Sequence, residues 1–124
     1  MTPTLKITNR SKPESPPLFA ADCSSFWAKF RGLMLQKEIA PYAAIIFRDP
    51  SESRINAAIH MLFMNFDIAV IWVNHQNRVA DVQLARAWRL FYMPASPACI
   101  TIETNSSRFG DFTIGDEISI EPIE

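Results

Sequence analysis

The sequence predicts an α+β fold that is mainly β: about seven short strands in one curled sheet, a partly open barrel or sandwich, with one or two short helices. Three observations carry this. Short apolar runs rich in β-branched residues recur along the chain, and clusters of Pro, Gly, Asn, Asp and Ser separate them. Only one stretch, Phe26 to Leu35, has the spacing of an amphipathic helix. With 124 residues, 48% hydrophobic and 20% charged content, the chain has apolar material for one core, so residues 1–124 are expected to form a single domain.

Each element follows from local chemistry. Residues 1–17 hold Pro3, Pro13, Pro16 and Pro17 among polar residues and are expected to be partly flexible, apart from a short edge strand where Leu5 and Ile7 alternate with polar neighbours. The apolar stretch Leu18 to Cys23 leads into Ser24 and Ser25, which can cap a helix whose Phe26, Phe30, Leu33 and Met34 share a face. Tyr42 to Phe47 is a β-branched run closed by the turn chemistry of Arg48-Asp49-Pro50-Ser51. Ala58 to Asn65 and Asp67 to Asn74 read as two further strands. The second is apolar at every position from Ile68 to Val73 and suits a central strand buried on both faces. The polar break Asn74-His75-Gln76-Asn77 makes a hairpin with Arg78 to Leu84. Pro94 and Pro97 exclude a central strand from residues 86–97, which read as a structured loop. Ala98 to Glu103 alternates as a strand, and the turn pairs Gly110-Asp111 and Gly115-Asp116 precede a last strand, Glu117 to Ile120.

Charge and composition exclude several functions. A net charge of −1 and a pI near 6.1 give no general attraction for phosphate backbones, so no nucleic-acid partner is expected. No run approaches the ~18 apolar residues of a membrane span, and the N-terminus lacks the pattern of a secretory signal; a cytoplasmic chain is expected. The three glycines, Gly32, Gly110 and Gly115, make no phosphate-cradling loop, and no cofactor is expected. His60 and His75 are too few for a metal centre, so no metal is expected either. Cys23 and Cys99 lack zinc spacing and read as buried free thiols, with a disulfide between their strands as the alternative.

Three segments occur in a distinctive order: Arg31-Gly32-Leu33-Met34, Ile59-His60-Met61-Leu62-Phe63-Met64 and Thr113-Ile114-Gly115-Asp116. In that order the chain resembles domain-of-unknown-function family 192, also called uncharacterised protein family UPF-0127, over about residues 5–121. The resemblance implies a small, mostly β domain with a curled sheet and imports no reaction. Two departures stand out. The family's usual acidic residue after Pro-Ile is Ala69 here, and a carboxylate sits two residues earlier at Asp67. Asp67 either takes a related place, about 6 to 7 Å along the strand, or simply marks the strand entry. The late Leu-Glu-Leu-Pro-x-Gly segment is Ile102-Glu103-Thr104-Asn105-Ser106-Ser107, which keeps only the glutamate and one apolar position.

Four residues form the candidate ligand-binding set: Arg31, His60, Met64 and Trp88. Arg31 offers paired donors for a carboxylate or phosphate; its structural alternative is an ion pair with Asp67 or Glu103. His60, read as lying in a strand, is a pocket residue or a hydrogen-bonded structural one. Met64 fills a pocket wall or the core. Trp88 belongs to Arg86-Ala87-Trp88-Arg89-Leu90-Phe91-Tyr92, where basic and aromatic residues interleave; the loop either stacks a ligand or covers an open end of the barrel. The leading expectation is a non-catalytic binding domain for a small anionic or amphipathic ligand or a short peptide. The alternatives are an enzyme with His60 as general base oriented by Asp67 or Glu103, and a protein-interaction module that offers the aromatic loop or a sheet edge.

Overall fold

The computed structural model describes residues 2–23 and 37–123; the helix expected over Phe26 to Leu35, and Arg31 with it, lies outside them. Seven strands form one sheet: β1 (Leu5–Asn9), β2 (Leu18–Asp22), β3 (Ala43–Ser53), β4 (Ile68–Val73), β5 (Val79–Ala85), β6 (Ala98–Asn105) and β7 (Ile118–Pro122). Their spatial order is β5-β4-β6-β3-β2-β1-β7. Only the β2–β3 pairing is parallel; the rest are antiparallel.

The sheet curls until its two ends touch. Arg78 and Glu117 form an antiparallel bridge, the Val79 amide donates to the Asp116 carbonyl at 2.9 Å, and the Ile118 amide donates to the Asn77 carbonyl at 2.8 Å. The curl separates two apolar layers. The inner one draws on all seven strands: Ile7, Leu18, Ile46, Ile71, Val79, Ile102 and Ile118 belong to it. The outer one sits on the convex face, where Ile45, Phe47, Ile68, Val70 and Trp72 are covered by Ala57, Met61 and Met64 from the β3–β4 connection. The all-apolar β4 is buried at each of its six positions because one face meets each layer.

Most elements follow the sequence reading, and four differ. β1 is not an edge strand: it pairs with both β2 and β7, so Leu5, Ile7 and Asn9 are buried. The run Arg48-Asp49-Pro50-Ser51 is not a turn, since β3 continues to Ser53. Its register with β6 shifts between Arg48↔Ile100 and Ser53↔Ala98, so Pro50 stands where the ladder is irregular and its missing N–H costs nothing. Residues 58–65 form no strand beyond a single bridge, Ile59↔Tyr92. Apolar residues that cover a sheet look like apolar residues within one, and the run was too short to separate the two by periodicity. Gly110 and Asp111 close a short 3-10 helix, Ser106–Asp111, capped by the Asn105 side chain, which accepts from the Ser107 amide. This helix is fixed from below by Arg108, a buried guanidinium that donates to the Pro41 and Pro16 carbonyls and pairs with Asp111.

Candidate ligand-binding site

The cover over the outer layer is built from two segments, residues 54–67 and 86–95, tied to each other and to the sheet. Ile59 and Tyr92 exchange both backbone hydrogen bonds, at 2.9 and 2.8 Å. The Trp88 amide donates to the Met61 carbonyl at 2.8 Å, and the Met61 amide to the Arg89 carbonyl at 3.0 Å. The cover is pinned down by the Trp72 indole, which donates to the Ala57 carbonyl at 2.7 Å from inside the outer layer. Asp81 on β5 accepts from the Ala95 amide at 2.8 Å, and Arg54 donates to the Pro94 carbonyl at 2.9 Å. Asp67 holds the start of the second segment: its carboxylate accepts from the Ala87 amide at 2.8 Å and pairs with Arg86 at 3.3 Å. Asp67 thus acts at the strand entry, and it does not take over the place left by Ala69, whose methyl is fully buried in the inner layer.

On this cover two bulky residues adopt left-handed backbone, Phe63 at φ 63° and Trp88 at φ 64°. Left-handed backbone costs a non-glycine residue about 1 to 2 kcal/mol, so the surrounding hydrogen bonds hold both against their preference. The two rings meet edge to face with centroids 5.4 Å apart, and they remain 49% and 55% exposed. Leu90 and Phe91, beside them in sequence, are more exposed still. The result is a rigid aromatic surface on the convex side, with Arg89 following Trp88.

The four residues singled out from the sequence have different fates. Arg31 lies outside the described residues. Met64 is buried in the outer layer, beneath the cover. Trp88 is on the outside, and it covers the convex face rather than a barrel end. His60 is exposed and not in a strand, so the packed imidazole expected there is not found. His60, Met64 and Trp88 therefore share one layer of the fold but not one buried pocket. Phe63 was missed, because a strand assignment for residues 58–65 hid the turn that brings its ring to Trp88.

Glu103 is the other unusual group. The β6 register sets it opposite Val70 of β4 and Ile45 of β3, in the middle of the outer layer. It is 7% exposed. Among the described residues, its polar neighbours on the same strand face bond elsewhere: the Thr101 hydroxyl donates to the Ala57 carbonyl at 3.4 Å and the Asn105 amide to the Ile39 carbonyl at 2.7 Å. Burial accordingly pushes the Glu103 carboxyl up from 4.5 to about 7. The nearby Cys23 thiol is pushed up to about 11, by its burial first and then by the charges of Glu103 and Asp22, so it is a poor nucleophile. Both cysteines are buried, and no disulfide joins them. The sequence reading offered Glu103 as a partner for Arg31 or His60; its burial is legible in the alternation, since Cys99, Thr101, Glu103 and Asn105 share one face of β6.

The fold matches solved proteins. A crystal structure of a protein of unknown function from Novosphingobium aromaticivorans superposes with a TM-score of 0.76 over 94% of this chain and 83% of that one, at 19% identity. Residues 9–120 match the family described as Uncharacterized ACR, DUF192, and the chain belongs to that family. A UPF0127 protein of Thermococcus kodakarensis is 43% identical over 102 residues, 81% of this chain; the chain spans 63% of that relative's length. A UPF0127 protein of Pyrococcus horikoshii is 39% identical over 78% of this chain and 81% of its own length. No helix among the described residues is long and apolar enough to cross a membrane.

Proposed function

We propose that this chain is a non-catalytic binding domain that takes a small amphipathic anion on the Phe63–Trp88 surface. The observation that carries this reading is the aromatic pair itself: two large side chains held exposed on disfavoured backbone, a combination that folding alone does not reward and that recurs at ligand clamps. The rings supply an apolar face for the body of the ligand. Arg89, adjacent to the bonded position Trp88, supplies the positive partner for its charge, and His60, adjacent to Met61, supplies an imidazole for hydrogen bonding. The enzymatic alternative draws less support, because the Asp67 carboxylate is engaged by Ala87 and Arg86 and Glu103 is buried in the outer layer.

Decanoate is the test probe, followed by intrinsic tryptophan fluorescence and by calorimetry. Saturable binding is expected, lost in Trp88→Ala and weakened at least tenfold in Arg89→Ala. Decyltrimethylammonium, with the same chain and the opposite charge, should bind more weakly. Equal binding of the two detergents, or decanoate binding that survives Trp88→Ala, rejects the reading.

A further inference from the structure

At one end of the curled sheet the strands splay into a cleft separate from the aromatic surface. Its volume is about 420 Å³, inside the roughly 300 to 1,000 Å³ typical of small-molecule sites. Ile100, Ile118 and Ile120 line it where they pack on the inner layer, and most of the surface it presents is polar. The walls follow from three local features. β3 loses its register with β6 just after Arg48↔Ile100; the β4–β5 turn folds against β7 through the Asn77 carbonyl and Ile118 amide; and Arg10 follows β1, its amide donating to the Glu117 carbonyl at 2.8 Å.

The polar groups on these walls have a definite chemistry. Two guanidiniums, Arg10 and Arg48, line the cleft against one carboxylate, Glu117. Arg10 is only loosely held by that carboxylate, at 3.8 Å with both side chains about half exposed. Arg48 engages Asp22 through one terminal nitrogen, and a guanidinium carries five N–H donors, so its fork keeps capacity for a second anion. Gln76 and Asn77 stand on the same rim and present carboxamides, which both donate and accept. Asn77 is held at φ 59° by the turn, with its backbone N–H and carbonyl already bonded to Asn74 and Ile118.

We infer that this cleft is a binding site for a small hydroxylated phosphate ester of the sugar-phosphate kind, with Arg10 and Arg48 taking the phosphate and the Gln76 and Asn77 carboxamides taking hydroxyls. The guanidinium forks, each with donors left over from its own ion pair with Glu117 or Asp22, favour an oxyanion, and the carboxamides favour hydroxyls. The inference is independent of the aromatic surface, with which it shares no residue.

The experiment is a titration of the isotope-labelled full chain with ribose 5-phosphate, read by amide chemical shifts, with ribose and inorganic phosphate as separate probes. Saturable shifts are expected at Asn77, Ile100 and Ser119, with a Kd on the order of 1 mM or tighter. Ribose and phosphate alone should each bind at least tenfold more weakly. Arg10→Gln and Arg48→Gln should each weaken the ester at least tenfold, while an unchanged thermal unfolding midpoint shows the variants folded; Asn77→Ala should weaken the ester and leave phosphate unaffected. Absence of saturable shifts at the cleft overturns the inference. Phosphate binding as tightly as the ester would mean an adventitious ion only. Because decanoate is expected to leave these amides unmoved, failure here and failure at the aromatic surface are told apart.

Discussion

Replacing Glu103 by glutamine should make the protein more stable at high pH and abolish one limb of its pH dependence. The folded-state value of about 7 lies above the ordinary 4.5. Between those two values the folded protein holds a proton that the unfolded chain has released, so stability falls as pH rises through this window. The loss is complete above the folded value and absent below the unfolded one. Taken from 4.5 to about 7, at about 1.4 kcal/mol per pH unit, it amounts to about 3 to 4 kcal/mol at most. Glutamine matches the shape of the protonated carboxyl and does not ionise. Glu103→Gln should therefore equal the wild type below about pH 4 and exceed it by up to about 3 to 4 kcal/mol at pH 8. Urea unfolding followed by circular dichroism across this range measures the difference, and comparing the two proteins cancels every other titrating group. A constant difference at all pH values would refute the reasoning, because Glu103 would then not be titrating in a buried site.

Three further outcomes follow from the same structure. Arg108→Met should destabilise the fold by about 3 kcal/mol, since it removes the donors that hold the Pro16 and Pro41 carbonyls and the Asp111 carboxylate; chemical denaturation checks this. Trp88→Gly should leave stability within about 1 kcal/mol, because relief of left-handed strain offsets the lost ring contact, while decanoate binding disappears. Ala69→Asp should cost several kcal/mol, because it places a carboxylate in the inner layer where Thr104, its cross-strand partner, already donates to the Ala43 carbonyl at 2.6 Å; a thermal melt that is unchanged would contradict the assignment of residue 69 to the inner face.

The strands were legible where a run met both criteria, apolar content and β-branched residues bounded by turn formers, as at Ile68 to Val73. They were misread where one signal had two physical meanings. Pro50 looks like a turn, yet a strand tolerates it where the ladder is already irregular. Met61 and Met64 look like strand residues, yet they cover the sheet from outside. The Trp88 loop was visible because interleaved basic and aromatic residues are unusual in any element. Its partner Phe63 was not, since the contact depends on a backbone reversal that neither composition nor spacing encodes. The cleft at the sheet end was equally hidden: Arg10, Arg48 and Asn77 are far apart in sequence, and only the curl brings them to one rim.

That curl also decides where a ligand can go. A small curled sheet offers three places: its interior, its open ends and its convex face. In this chain side chains from every strand fill the interior, as is usual for barrels of this size, and the residue that would make it polar, at position 69, is alanine. Binding chemistry is thereby left to the surfaces the strands do not close. On the convex face the strained pair Phe63 and Trp88 stands outside the cover; at the open end Arg10 and Arg48 line a largely polar cleft. Glu103 lies beneath the first of these surfaces, in the layer on which the cover rests. Its ionisation places a charge in the outer layer, between Ile45 and Val70, so the stability it removes at high pH should come from the outer layer and its cover before the inner layer. Hydrogen exchange at pH 6 and pH 8, with each rate divided by the intrinsic base-catalysed rate at that pH, would show this as a larger loss of protection at the Met61 and Trp88 amides than at Ile71 and Ile102. An equal loss of protection in both layers would mean that cover and sheet open as one unit.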